Sequence, residues 1–198
     1  MTKLSVVIPV YNQEILVKRA LESIPASCEI IIVDDGSIDG TMKTLLEFMN
    51  SHSNVEVLYN SENMGVSHTL NRGIEAATGD YIVFLGSDDY LYTSEFERLM
   101  TEMDGTDLIY FDLQINDESI IHLCPETKTT WCGSVKLMRR AFVGRIRNRV
   151  DKRSGEDWYF YKRLLKKNPT EKFTNIVAKH YDFPRIGSLT HVANKEQL

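Results

Sequence analysis

Four short runs of β-branched and aliphatic residues, separated by segments with helical periodicity, constrain the fold of this chain more than any other feature. The runs are predicted to be strands at residues 4–10, 29–33, 55–59 and 80–85. The segments between them are predicted to be helices at residues 14–23, 41–50 and 66–77. Runs with little polar alternation are typical of strands covered on both faces. This order predicts an α/β fold with a mostly parallel, Rossmann-like central sheet flanked by helices.

The later part of the chain has a less regular pattern. Helices are predicted at residues 95–103, 134–143 and 157–167. Strands are predicted at residues 107–113 and 118–123, the second of them as the edge of a hairpin. The 198 residues suffice for one domain with a substantial core and are too few for two domains of ordinary size. We therefore predict a single domain with a less regular C-terminal third.

The composition and the lengths of the apolar runs indicate where in the cell the protein resides. Hydrophobic residues make up 42% of the chain, and no apolar run approaches the roughly 20 residues that a membrane span needs. The apolar run at residues 4–9 is too short for the core of a signal peptide and has no small-residue cleavage site after it. We therefore expect a cytoplasmic protein.

Charge is distributed unevenly along the chain. Residues 1–130 hold 7 Lys and Arg against 22 Asp and Glu, whereas residues 131–198 hold 16 against 6. The basic part could face phosphate groups or an anionic membrane surface. Alternatively, the two parts could attract each other and present solvated faces. The sequence leaves both interpretations open.

Polar side chains follow three of the predicted strands at the points where they end. Tyr11 follows the first strand, Asp35 the second, and Ser87, Asp88 and Asp89 the fourth. Carboxyl ends of parallel strands meet at one edge of a sheet, which is where open α/β sheets bind ligands. Helix capping is the alternative use for such residues, and three polar strand ends on one edge are harder to explain in that way.

These residue types suit a nucleoside diphosphate. A divalent cation such as Mg²⁺ or Mn²⁺ takes one or two carboxylates together with phosphate oxygens. The Tyr11 ring could stack on a base, and Asp35 could accept from a base N–H. The first strand is not followed by GxGxxG, and the chain has no GxxxxGK[ST], which argues against a dinucleotide site and a P-loop.

Several motifs resemble those of the family-2 inverting glycosyltransferases of GT-A fold, in order and in spacing. In the first 92 residues they are Val7 to Asn12, Ile32 to Thr41, Asn63-Met64-Gly65, Asn71-Arg72-Gly73, Thr78 to Ile82 and Phe84 to Asp89. The likeness resumes at Trp131 to Arg140, Gly155 to Trp158 and Tyr181 to Ser188. The resemblance implies a GT-A-type fold.

The resemblance also implies roles for residues of the donor side. Pro9 and Tyr11 match the positions that frame the nucleobase, and Asp35 matches the acidic residue that reads it. Asp88 matches the last aspartate of the metal-binding Asp-x-Asp motif, and Asp89 follows it. The implied cofactor is Mn²⁺ or Mg²⁺, and the implied nucleotide is UDP.

The later motifs imply roles on the acceptor side. Asp157 matches the catalytic base, and Glu156 precedes it in the same motif. Arg185 falls where the family often has a phosphate- or metal-contacting residue, and Ser188 falls on a closing C-terminal loop. The implied division gives residues 1–113 to the nucleotide-sugar and residues 114–198 to the acceptor.

Two positions depart from the family pattern. Gly86 stands where the family commonly has aspartate, so a ribose or water-mediated contact is absent or shifted to Ser87. Arg185 stands where histidine is frequent; arginine cannot ligate a cation, but it can hold a pyrophosphate bidentately.

The implied function is transfer of a sugar to an acceptor hydroxyl with inversion, in cell-surface polysaccharide or glycolipid synthesis. The expected partners are a nucleotide-sugar donor and a glycan or lipid-linked acceptor, with no nucleic acid. The basic segment at residues 139–153 is a candidate for peripheral contact with the inner face of the plasma membrane. The alternatives are a degenerate sugar-nucleotide-binding subunit and, less favoured, a sugar nucleotidyltransferase.

Other polar and aromatic residues have structural interpretations. Asp34 could contact the ligand or stabilise a turn. The stripe of Trp158 and Tyr161 predicts core packing. The histidines show no metal spacing, which predicts that they lie on the surface or in loops.

Overall fold

The first apolar run becomes an interior strand because a parallel neighbour pairs with it on each side. The protein is described from a computed structural model that covers residues 2–129, 134–151 and 155–182. The four predicted strands are present as β1 (Leu4–Val10), β2 (Glu29–Asp34), β3 (Val55–Tyr59) and β4 (Tyr81–Phe84). All pairings among them are parallel: β1 with β2, β1 with β4, and β2 with β3.

The helices between these strands lie close to their predicted positions. They are α1 (Leu16–Glu22), α2 (Thr41–Ser51) and α3 (Val66–Ala76). Each of them buries an apolar stripe, as with Val17, Ala20 and Leu21 of α1. Because helices cover the sheet, β1 and β2 are buried along almost their whole length. The unbroken apolar runs of the sequence follow from this two-sided cover.

Within the described residues, the second half adds five strands to the same sheet. They are β5 (Tyr90–Leu91), β6 (Leu108–Ile115), β7 (Ser119–Ile121), β8 (Lys136–Arg139) and β9 (Glu171–Tyr181). The helices are α4 (Thr93–Met100), α5 (Arg140–Val143) and α6 (Glu156–Leu165). None of the described helices is long and apolar enough to cross a membrane.

Two features of this half differ from the sequence predictions. The helix predicted at 134–143 is wrong over most of its length, because Lys136–Arg139 is a strand and only Arg140–Val143 is helical. That short strand pairs with β4 on one side and β6 on the other, and this pairing outweighs its helix propensity. The strands β5 and β9 were not predicted at all.

The strand order is β3-β2-β1-β4-β8-β6-β9-β5, with β7 paired to β6. Since β8 is antiparallel to both β4 and β6, and β9 is parallel to β6, the carboxyl ends of β1, β2, β4, β6 and β9 share one edge. The prediction of a mostly parallel sheet is confirmed. We call this side of the sheet the carboxyl edge.

At the opposite edge of the sheet, where the parallel strands begin, Glu29 links β2 to its neighbours. Its carboxylate accepts hydrogen bonds from Lys3 Nζ at 3.0 Å, from the Thr78 N–H at 2.8 Å and from the Ser5 hydroxyl. Burial alone would raise the pKa of Glu29, but the hydrogen bonds from Ser5, Thr78 and Lys3 outweigh it and lower the pKa from 4.5 to about 2. This carboxylate therefore ties β2 to β1 and to the turn before β4.

Glu29→Gln should make stability less dependent on acid pH. Because the folded pKa is depressed, the stabilisation is fully present above about pH 4.5 and is lost as the pH falls towards about 2. We expect the urea midpoint of the wild type to drop more steeply over that interval than the midpoint of the variant. Parallel pH profiles for the two proteins would contradict this role.

Candidate active site

The ends of β1 and β2 are clasped together by Asn12. Asn12 has a left-handed backbone conformation, with φ of 51°. Its N–H donates to Ser37 Oγ at 2.9 Å, and its side-chain Oδ1 accepts from the Ile38 N–H at 2.9 Å. The clasp fixes the chain directly after Tyr11, a residue that is 41% exposed, and Pro9 is half-buried. The two residues predicted to frame a base therefore lie at the carboxyl edge, with the Tyr11 ring accessible.

Asp34 stabilises the turn that follows β2. Its carboxylate accepts from both the hydroxyl and the N–H of Ser37. Burial raises the pKa of Asp34, and the Ser37 hydrogen bonds act in the opposite direction. Between the two interpretations left open by the sequence, this geometry favours the structural one.

Asp35 holds the loop that leads into α3. Only 4% exposed, its carboxylate accepts from Asn60 Nδ2 at 2.6 Å, from the Met64 N–H at 2.9 Å and from the Gly65 N–H at 2.8 Å. The negative charge lies at the N-terminus of α3, where the helix dipole stabilises it. This structural task of Asp35 was not predicted, because its partners lie 25 to 30 residues away.

A tight turn at residues 86–89 follows β4. The Asp89 N–H donates to the Gly86 carbonyl at 3.1 Å. A Cβ atom on Gly86 would lie 2.8 Å from Asp89 Oδ2 and 2.9 Å from Asp88 Oδ1. The carboxylates of the two aspartates thus converge on the space that a side chain at position 86 would occupy. Glycine at position 86 leaves this space to the two carboxylates, which would have to move if a side chain stood there.

The two aspartates of the turn have different environments. Asp88 is half-buried, whereas Asp89 is buried and forms an ion pair with Lys179, with Nζ 2.7 Å from Oδ2. Burial raises the pKa of Asp89, and the Lys179 ammonium opposes that effect. Asp89 Oδ1 is also buried and finds no hydrogen-bond donor within the described part of the chain. Ser87, at the tip of the turn, is buried as well.

Arg19 of α1 supports the same turn from the side. Its guanidinium donates to the Asp88 carbonyl at 2.6 Å and to Asp182 Oδ2 at 2.7 Å. It also lies 4.7 Å from the centroid of the Tyr90 ring, in a cation–π contact. No local sequence signal identifies Arg19, because its contacts come from residues at least 69 positions away.

His180 lies behind Arg19 and is buried, so the prediction of a surface or loop position is wrong for this histidine. Its ring stacks on Tyr90 with centroids 4.5 Å apart. Nε2 is 2.9 Å from Asp182 Oδ1, and Nδ1 is 3.1 Å from the Tyr92 hydroxyl. The stack holds the end of β9 against β5, directly after the 86–89 turn.

The remaining carboxylates of interest begin α6. Both Glu156 and Asp157 are half-buried, and Asp157 Oδ1 accepts from the Trp158 N–H at 2.7 Å. Burial raises the pKa of Glu156, and the charge of Asp157 adds to the effect. One turn on, the Phe160 ring lies 5.8 Å from that of Phe84, the last residue of β4. Residues i and i+3 share a helix face, so Asp157 lies on the side of α6 that faces the carboxyl edge.

The predicted core stripe of α6 is only partly correct. Tyr161 is buried and its hydroxyl is 2.7 Å from that of Tyr110, whereas Trp158 is 40% exposed. Trp158 instead lies under the Lys162 ammonium, 4.5 Å from the ring centroid. Phe160 and Leu164 supply the apolar contacts that the pattern assigned to Trp158.

The basic segment at 139–153 is described as far as residue 151, and part of it is engaged within the chain; Lys152 and Arg153 lie outside the described residues. Three of its arginines form ion pairs: Arg139 with Asp107, Arg147 with Glu75 and Arg149 with Asp151. The Asn148 N–H also donates to Asn71 Oδ1 at 2.6 Å, which docks the segment on α3. The first two of these ion pairs join the basic part to the acidic part, which favours the interpretation in which the two parts attract each other; the third lies within the basic part.

The carboxylate oxygens of the 86–89 turn suit a cation that binds together with a diphosphate. No three His, Cys, Asp or Glu side chains converge in the described ranges, so no ready-made cage is present there. The half-buried Asp88 offers one carboxylate there, and Mg²⁺ typically needs one or two carboxylates with phosphate and water oxygens. Arg185 and Ser188 lie outside the described residues.

Comparison with known proteins assigns the family. The model of glycosyl transferase family 2 matches residues 5–173, which include the Asp88 turn and the start of α6. The chain belongs to glycosyl transferase family 2. The putative glycosyltransferase EpsH of Bacillus subtilis (strain 168) is 36% identical over 199 aligned residues, covering 96% of this chain and 53% of EpsH.

A second relative matches over a shorter stretch of the chain than EpsH does. The uncharacterized glycosyltransferase YibD of Escherichia coli (strain K12) is 39% identical over 103 residues, covering 50% of this chain and 30% of YibD. The chain therefore spans about half or less of the length of these curated relatives.

Solved structures share the fold of this family-2 chain. S. aureus TarS 1–349 in complex with UDP-GlcNAc matches with a TM-score of 0.83 at 19% identity, over 95% of this chain and 60% of the TarS chain. The mannosyltransferase PcManGT from Pyrobaculum calidifontis, in complex with GDP-Man and Mn²⁺, matches with a TM-score of 0.74 at 16% identity, over 94% and 58%. The predicted GT-A-type fold is confirmed.

Proposed function

We propose that this family-2 member transfers one sugar from a UDP-sugar to an acceptor hydroxyl, with inversion at the anomeric carbon. The observation that carries the proposal is the meeting of three polar strand ends at one edge of the sheet. They provide an accessible aromatic ring at Tyr11, a loop organised by Asp35, and the turn that carries Asp88. Base, ribose and diphosphate would lie along this edge in that order.

The nucleobase would bind between Tyr11 and Asp35. The Tyr11 ring is accessible for stacking, and Pro9 beside it limits the space. A carboxylate offers about four acceptor positions. Asn60, Met64 and Gly65 use three of those on Asp35, which leaves one for a base N–H. The UDP-GlcNAc in the TarS structure supports a uracil base.

The diphosphate would lie beside the 86–89 turn, with Asp88 as its metal ligand and Ser87 near the ribose. When bound, Mg²⁺ or Mn²⁺ would supply Lewis acidity that neutralises charge on the leaving diphosphate. The Mn²⁺ in the PcManGT structure supports this choice of ion. Arg19 would keep the turn in place through the Asp88 carbonyl. We further propose that Arg185 contacts the pyrophosphate and that Ser188 contributes to the loop that closes over it.

Asp157 would act as the general base. It would accept the acceptor hydroxyl proton as that oxygen bonds to the anomeric carbon, while the bond from that carbon to the diphosphate oxygen breaks on the opposite face. The N-terminus of α6 stabilises the negative charge that the base needs before the reaction. Because displacement occurs in one step, no covalent nucleophile is required on the other face of the sugar.

The setting that we propose is synthesis of a cell-surface polysaccharide or glycolipid on the cytoplasmic side. A relative from Mycobacterium bovis that is named as a PGL/p-HBAD biosynthesis glycosyltransferase, 29% identical over 150 residues, supports a role in a biosynthetic pathway. Membrane contact through the segment 139–153 stays a prediction, and the ion pairs of its arginines reduce the charge that it can offer.

Donor turnover tests the proposed function. The protein would be incubated with a panel of UDP-sugars and Mn²⁺, and UDP release would be followed by chromatography. We expect slow hydrolysis of one or a few donors, with water as the acceptor, and its loss on addition of EDTA. Donor binding without turnover, alone or with candidate acceptors, would instead favour a sugar-nucleotide-binding subunit.

Asp35→Ala should weaken UDP binding by about 1–3 kcal/mol, the cost of leaving a hydrogen-bonding group unpaired. It should also lower the thermal unfolding midpoint, because the loop before α3 loses its anchor. Tyr11→Ala is the matched variant: it should weaken UDP by about 1–3 kcal/mol through lost stacking and leave the midpoint unchanged. Calorimetry of UDP binding and unfolding checks both. Unchanged affinity in both variants would place the base elsewhere.

A further inference from the structure

Lys179 is a buried charged side chain that the mechanism above does not use. Its Nζ lies 2.7 Å from Asp89 Oδ2, and the two side chains are only 4% and 5% exposed. It also donates to Ser134 Oγ, just before β8. Burying two charges carries a large desolvation cost, so such a pair is weak evidence for stability by itself. Its location directly behind the 86–89 turn points to a different contribution.

The backbone fixes Lys179 with little freedom to move. It lies on β9, opposite Leu113 of β6 on one side and Leu91 of β5 on the other. Asp89 immediately precedes β5, so the ion pair and the strand pairing hold the same end of the 86–89 turn. On the other side of the turn, Gly86 leaves room for Asp89 Oδ2, where a Cβ would approach to 2.8 Å.

We propose that Lys179 is a positioning residue of the donor site, which draws Asp89 into the interior so that Asp88 can bind the cation that holds the diphosphate. The inference rests on the proposed function and assigns Asp89 as an anchor, not a metal ligand. Without Lys179, Asp89 would be a buried carboxylate with no countercharge, a state that proteins avoid. The carboxylate would turn further into the space beside Gly86 that it shares with Asp88, and would displace Asp88 from the position in which it binds the cation.

Lys179→Met tests the proposal through the metal-dependent part of UDP affinity, which a merely structural role would not change selectively. Calorimetry would measure UDP binding with and without Mn²⁺. We expect the affinity with Mn²⁺ to fall about tenfold or more and the affinity without metal to change less than about threefold. The matched control is Lys172→Met. Lys172 also lies on β9 and forms ion pairs with Glu102 at 2.7 Å and Asp104 at 3.0 Å, at the opposite edge. That control should bind UDP like the wild type.

The double variant Lys179→Met, Asp89→Asn keeps the test decisive if the single variant fails to fold. It removes both charges, and replacing both partners of a buried pair is often neutral for stability. If Lys179 acts through Asp89, the double variant should bind UDP and Mn²⁺ within about threefold of the wild type. Persistent loss would mean that Asp89 ligates the cation or that Lys179 contacts the phosphates, and the proposal would fall.

The UDP-binding results distinguish a failure of the Lys179 proposal from a failure of the proposed function. A wild-type protein that binds UDP with Mn²⁺, alongside a folded Lys179→Met variant with unchanged affinity, would overturn the positioning role alone. A wild-type protein with no metal-dependent UDP binding would overturn the proposed donor site and this inference with it.

Discussion

Replacing Asp157 by asparagine should reduce sugar transfer by about 10²–10⁴-fold, the usual contribution of a positioned acid–base group. Asparagine preserves the shape and retains an Oδ1 that can accept from the Trp158 N–H, the bond seen at 2.7 Å. What it loses is the ability to accept a proton. Affinity for UDP and for the donor should change little, because the base contacts the acceptor. The measurement is acceptor-dependent UDP release, together with UDP titration of the same variant.

Glu156→Gln is the matched control for that result. Glu156 is the neighbouring residue in the same helical turn, and burial raises its pKa, with a further contribution from the charge of Asp157. A raised pKa is also a property of some general bases, so the two carboxylates must be compared directly. Near-normal transfer in Asp157→Asn with loss in Glu156→Gln would identify Glu156 as the base. Little effect in either variant would place the base elsewhere.

Asp88→Ala should abolish the metal-dependent part of UDP binding while the protein remains folded. The side chain is half-buried, and the backbone carbonyl at this position still accepts from Arg19. We expect UDP titrations of the variant to give the same weak affinity with Mn²⁺, with Mg²⁺ and with EDTA. In the wild type, EDTA should abolish donor turnover and either ion should restore it.

Asp104→Ala provides the control for loss of one negative charge. Asp104 forms an ion pair with Lys172 at 3.0 Å, far from the carboxyl edge. UDP affinity and its metal dependence should be those of the wild type in this variant. If Asp88→Ala also kept the wild-type response to Mn²⁺, Asp88 would not be a metal ligand.

The sequence was most informative where one physical cause dominates. The strands at 4–10 and 29–34 are covered on both faces, so their burial alone determines an unbroken apolar run. The strand ends were visible because polar residues such as Asp35 and Asp88 interrupt those runs abruptly. The fold class and the edge that carries the candidate site follow from these two signals.

The second half was predicted less well because distant partners determine it. Lys136–Arg139 consists largely of good helix formers, yet it is a strand because β4 and β6 pair with it from both sides. β9 was not predicted because it contains Lys179 and His180. A lysine and a histidine indicate an exposed segment unless their buried partners are known. Those partners, Asp89 and Tyr90, lie about 90 positions earlier in the chain.

The position of β9 between β6 and β5 affects the order in which parts of the protein can fold. A strand that begins at Glu171 pairs with β6 and with β5, so it closes loops of roughly 60 to 90 residues. Contacts between residues so far apart in sequence form late, because the entropy of loop closure must be overcome first. During synthesis, the turn at residues 86–89 would therefore lack its buried countercharge until Lys179 has left the ribosome. We therefore expect that residues 1–113, the part proposed to bind the nucleotide-sugar, would not form the native 86–89 turn if the chain were cut after residue 113, because Asp89 would lack its ion pair with Lys179 of β9.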